Sequence, residues 1–77
     1  MNNVRRKELN KIINSLEILK EELETLQDEE ETARDNLPES LWGSEKYERA
    51  DEACENLESA FSSLEEAIDY IDSAVNG

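Results

Sequence analysis

The chain has 77 residues, 38% of them charged and 36% hydrophobic, and a formal net charge of −13. One Cys, no His and only two Gly exclude an internal disulfide, a His-based metal centre and a Gly-rich phosphate loop. A surface this acidic repels nucleic acid and anionic membranes, and a core this small depends on idealised helix packing or a partner subunit.

The charge is unevenly spread. Arg5, Arg6, Lys7, Lys11 and Lys20 stand against only Glu8 and Glu17 in the first twenty residues, whereas the rest of the chain holds three basic and nineteen acidic side chains. No stretch approaches the roughly 20 apolar residues of a membrane span. The basic start has no apolar run behind it, so it does not read as a secretory signal. A lone Cys fits a reducing compartment, and the expected location is cytoplasmic.

In the first half, Leu9, Ile12, Leu16, Leu19, Leu23 and Leu26 are spaced alternately three and four residues apart. With Leu9 as a, they occupy the a and d positions of a heptad and share one helix face. The series continues through Glu30 and Ala33 to Leu37, broken only by Glu30. Ile13 and Ile18 fall off the stripe, at e and c. Glu30 has two readings: a polar core position that fixes register, paired with Arg34 four residues on, or a hairpin that splays toward its tip. Splaying is favoured.

A break follows at Asp35-Asn36-Leu37-Pro38-Glu39-Ser40-Leu41-Trp42-Gly43-Ser44. Pro38 disfavours helix at Leu37 and cannot sit deep inside one. Asn36, with Glu39 three residues on, suits the cap of a single short turn at 38–42. Ser44 suits the cap of the second helix, with Glu45 in its first turn.

In the second half, Tyr47, Ala50, Cys54, Leu57, Phe61, Leu64, Ile68, Ile71 and Val75 keep the alternating spacing without a charged interruption, a strong coiled-coil or bundle pattern. Ala53, Ala60, Ala67 and Ala74 recur beside it at position g. They read either as good helix formers or, as favoured here, as a small-residue edge that widens the apolar face. Cys54, at an a position among acidic neighbours, reads as a small core residue rather than a reactive thiol.

The expected fold is all-α: a single domain over 1–77, with helix 1 at about 3–35, a turn at 36–43 and helix 2 at about 44–75. Matched lengths and a short connection make the helices antiparallel neighbours, which sets the basic start beside Glu65, Glu66, Asp69 and Asp72. A turn centred near residue 40 pairs Leu9 with Ile71, Ile12 with Ile68, Leu16 with Leu64, Leu19 with Phe61, Leu23 with Leu57 and Leu26 with Cys54. One seam buries these side chains only in part, so the expected assembly is a homodimer that forms a four-helix bundle.

No catalytic residue, cofactor or metal ligand set is expected, because the usual constellations are missing. The candidate partner-binding tip is Leu37, Leu41, Trp42 and Tyr47. An exposed Trp42 suits a hot spot; tucked in, as favoured here, it plugs the end of the core. The candidate acidic face is Glu17, Glu21, Glu24, Asp28 and Glu31. Two functions fit: a protein–protein interaction or assembly module with a basic or apolar partner, or an acidic decoy that mimics DNA toward a DNA-binding protein. Direct nucleic-acid binding and membrane association are not expected.

Asp35-Asn36-Leu37-Pro38-Glu39-Ser40-Leu41 and Gly43-Ser44-Glu45, with Glu55-Asn56-Leu57 and Leu64-Glu65-Glu66-Ala67-Ile68 behind them, carry a further signal. Over most of its length the chain resembles small acidic helical proteins of prophages and mobile elements of Gram-positive bacteria, which often have no assigned function. The resemblance implies a mobile-element context and no particular activity. Trp42 departs from it, standing where a more polar residue is expected.

Overall fold

A computed structural model describes all residues from Met1 to Gly77. Two long helices, α1 (Asn3–Asp35) and α2 (Glu45–Asn76), flank a short 3-10 turn (Glu39–Leu41) and pack against each other as a hairpin. There are no strands. The hairpin is a rod with extents of 59 × 16 × 12 Å.

Local chemistry accounts for each boundary. The Asn2 side chain accepts a 2.8 Å hydrogen bond from the Arg5 amide and caps α1. At the far end the Asn36 backbone N–H donates to the Thr32 carbonyl and the Leu37 N–H to the Arg34 carbonyl. Asn36 therefore closes α1 rather than capping the short turn, which begins at Pro38 with no side-chain cap. Pro38 is extended, with ψ near 143°, as a residue unable to continue the helix. Gly43 has a φ of +84°, a left-handed conformation that strains any residue with a Cβ. Ser44 then caps α2 by accepting from the Tyr47 amide at 3.3 Å.

The seam lies where expected on α2 and is displaced on α1. Every a and d residue of α2 from Tyr47 to Val75 is half-buried or buried, with Cys54, Ile68 and Val75 fully so. On α1 the half-buried series is Leu9, Ile13, Leu16, Lys20, Leu23, Gln27, Glu30, Arg34 and Leu37. These are the a and e positions. The expected d residues Ile12, Leu19 and Leu26 are 47%, 53% and 57% exposed, and Ala33 is exposed with them. The pairings of Ile12 with Ile68, Leu19 with Phe61 and Leu26 with Cys54 are thereby overturned. Lys20, not Leu19, lies over the Phe61 ring, 5.5 Å from its centre.

A polar ladder explains the displacement. Lys20, Gln27 and Arg34 recur every seventh residue at e, and each has a long stem that lies along apolar surface while its head stays polar. Each head meets an acidic oxygen: Lys20 Nζ is 3.4 Å from Glu17 Oε2, Gln27 Nε2 donates to Glu31 Oε1 at 3.3 Å, and Arg34 Nη1 donates to Asp51 Oδ1 at 2.9 Å. Rotating α1 to bury Leu19 and Leu26 would break the Arg34–Asp51 pair and draw the Lys20 head off the Phe61 ring. The ladder closes one edge of the seam and leaves the apolar d row uncovered on the other.

One seam buries little. Only three of 77 residues are buried, and the radius of gyration is 17.4 Å, against about 11–12 Å for a globular chain of this length. The accessible surface is 5739 Å², whereas a globular monomer of 8.8 kDa exposes roughly 4,800 Å². The surplus is roughly 900 Å², and the exposed d row lies within it.

Candidate functional site

The tip is held by its tryptophan. Trp42 Nε1 donates a 2.9 Å hydrogen bond to the Leu37 carbonyl, which spans the Pro38 turn. The indole tilts against Tyr47, with ring centroids 6.1 Å apart and planes 44° apart, within the centroid range of favourable aromatic pairs. Yet Trp42 is 51% exposed and Leu41 37%, while Leu37 and Tyr47 are half-buried. The tip thus brings Leu37, Trp42 and Tyr47 together without plugging the core. One face of the indole rests on the hairpin and the other meets solvent.

The candidate acidic face divides into two rows. Glu17, Glu24 and Glu31 lie at b, and Glu21 and Asp28 at f, on the side of α1 turned away from the d row. Glu17 and Glu31 are half-buried because they receive the ladder; Glu21, Glu24 and Asp28 are exposed. In an antiparallel pair the e row of α2 falls on this same side, so Asp51, Glu58, Glu65 and Asp72 extend the acidic face across both helices. A reading confined to helix 1 misses these four; their seven-residue spacing is the signal that finds them.

The acidic side chains do not gather into a pocket. No group of three or more His, Cys, Asp or Glu residues is placed to hold a metal ion. The one depression in the surface is shallow, lined by Thr25, Asp28, Glu29 and Thr32 on the outside of α1. No helix is long and apolar enough to cross a membrane.

Arg34 is the most connected polar residue. Its Nε donates to Asp35 Oδ1 at 3.0 Å while Nη1 reaches Asp51 across the seam. The bond to Asp35, first, and then its further acidic surroundings hold it firmly protonated. The pairing with Arg34 considered for Glu30 is therefore not made, and Glu30 is half-buried at its a position. Cys54 lies beneath this cluster, 3% exposed. Burial pushes its thiol pKa up, against the opposing pull of Arg34, so the thiol stays neutral and acts as packing.

The basic start of α1 makes only local bonds. Arg6 donates to Asn3 at 3.2 Å and Lys11 to Glu8 at 3.2 Å. Arg34–Asp51 is the one ion pair that joins the two helices. The expected relief between Arg5, Arg6 and Lys7 and the acidic end of α2 acts through the shared field, not through direct pairs.

What the hairpin presents is two surfaces without chemistry of their own: an apolar row with an aromatic tip, and an acidic face behind it. No family model, curated protein sequence or solved structure matches this chain.

Proposed function

We propose that the protein is a non-enzymatic interaction and assembly module that works as a homodimer, two hairpins forming a four-helix bundle. The row Ile12, Leu19 and Leu26, more than two-fifths exposed at each position, is the observation that carries this reading. Three large aliphatic side chains on one line are not scattered surface residues but a contiguous patch, and such patches mark association sites. In this reading the tip residues Leu37, Leu41, Trp42 and Tyr47 engage a further protein, and a mobile-element context and a cytoplasmic location follow from the resemblance and the lone Cys.

A thermal melt tests the dimer. Its melting temperature rises with protein concentration, because mass action stabilises an associating fold. It also rises with salt, which screens the repulsion between two chains of net charge −13. A melting temperature independent of concentration would contradict the dimer.

The second reading is the acidic decoy, favoured by the carboxylate rows that share one face of the hairpin, from Glu17 to Glu31 on α1 and from Asp51 to Asp72 on α2. It requires competition with DNA for a basic protein, weakening steeply as salt rises. Salt thus drives the two readings in opposite directions.

A further inference from the structure

One face of the hairpin carries an apolar stripe along its middle. It carries Ile12, Leu19 and Leu26 of α1. In an antiparallel pair, rows displaced in the same rotational sense from each seam fall on the same side. Helical geometry therefore sets Ala53, Ala60, Ala67 and Ala74 of α2 beside that row. Ser15, Glu22 and Glu29 of α1 and Asn56 and Ser63 of α2 border it; the polar ladder and most carboxylates lie on the other side.

We infer that this face receives a second copy of the chain running in the opposite direction, so that each tip lies beside the other copy's open end and α1 packs on α1. The inference rests on the dimer reading above and adds its surface and its polarity. Area allows the occupant: a standard interface takes approximately 800 Å² from each partner. A hairpin 59 Å long and 16 Å wide offers a face of that size.

Charge selects the direction. Residues 21–60, the tip half, hold fifteen acidic and three basic side chains. Residues 1–20 and 61–77, the open half, hold six acidic and five basic ones. Packed helices lie about 8–10 Å apart, within about one Debye length at physiological salt. Two tips side by side would stack the acidic halves at that distance. Opposed hairpins set each acidic tip against Arg5, Arg6, Lys7 and Lys11 of the other copy.

The row is also self-complementary under this operation. Leu19 is the midpoint of α1, which spans Asn3–Asp35, and Ile12 and Leu26 lie one heptad to either side. A twofold axis across α1 at its centre brings Leu19 against its own copy and Ile12 against Leu26 of the second copy. Each match joins large aliphatic side chains.

Disulfide trapping tests this directly. In a Cys54→Ala background, with helicity checked by circular dichroism, Leu19→Cys is expected to give a covalent dimer on mild oxidation. Ile12→Cys and Leu26→Cys crosslink efficiently only when mixed. If Cys54→Ala loses helicity, the same series is run with Cys54 retained, since it is 3% exposed. A Leu19→Cys protein that fails to couple to itself but couples to Ala60→Cys would overturn the opposed arrangement in favour of tips together, while leaving a dimer standing. Folded protein that stays monomeric in the ultracentrifuge would remove both.

Discussion

Ile68→Asp should abolish the fold. Ile68 is 7% exposed in the α2 seam. Losing a buried Ile side chain costs about 2–5 kcal/mol, and an unpaired carboxylate in its place adds several more. The whole stability expected for this length is only about 4–12 kcal/mol, so far-ultraviolet circular dichroism at 25 °C should show the helical signal largely gone. Tyr70→Asp is the control two residues away. Tyr70 is 75% exposed, and its replacement should leave the spectrum unchanged. Equal helicity in the two variants would place the seam elsewhere on α2.

The second large effect is of opposite sign. Gln27 sits half-buried in the seam, bonded only to Glu31, against the apolar a and d residues of α2. Gln27→Leu replaces a polar head with apolar surface there and should stabilise the hairpin by about 1–2 kcal/mol. For a domain this small, that raises the melting temperature by roughly 4–8 °C per kcal/mol. The neighbouring Leu26→Gln should leave the hairpin's own helicity intact while weakening association. Were α1 packed through its d row, the outcomes would exchange: Gln27→Leu would be neutral and Leu26→Gln would unfold the chain. The pair of melts, taken at one dilute concentration, separates the two seams.

That contrast shows what periodicity reveals and what it hides. The all-helical hairpin and the Ser44 cap are legible because each rests on local chemistry: a breaker at Pro38, a hydroxyl before an acidic first turn, and a stripe repeating with the helix. The α2 seam is legible because its nine apolar positions have no rival. On α1 the apolar residues cover a wider arc, with Ile12 and Ile13 on either side of the same turn, and a stripe chosen by hydrophobicity alone takes the d row. Lys20, Gln27 and Arg34 decide otherwise, through stems long enough to cover apolar surface and heads that find Glu17, Glu31 and Asp51. Glu17 and Glu31 lie on α1 itself, whereas Asp51 becomes visible as a partner only once both helices are placed. Trp42 is similar: its indole bond to the Leu37 carbonyl depends on the turn's shape, which residue types alone do not specify.

The displaced seam also supplies what the sequence suggested for a weaker reason. An alanine series beside a heptad hints at a second partner. An uncovered row of Ile12, Leu19 and Leu26 beside that series gives the hint large side chains with nowhere else to go. Burying each fully is worth about 1.5–3 kcal/mol, which is comparable to the modest reserve of a hairpin with three buried residues. Association is therefore expected to add to the hairpin's stability, so that dilution lowers the melting temperature while the single hairpin stays helical.

Sedimentation equilibrium across the micromolar range tests the central claim most directly. The wild-type protein should sediment at twice its chain mass of 8.8 kDa, and Leu19→Glu should sediment at the single-chain mass with its helical signal retained. A wild-type chain that remains helical and sediments as a single copy at every concentration would contradict the assignment of the Ile12–Leu19–Leu26 row as an assembly surface.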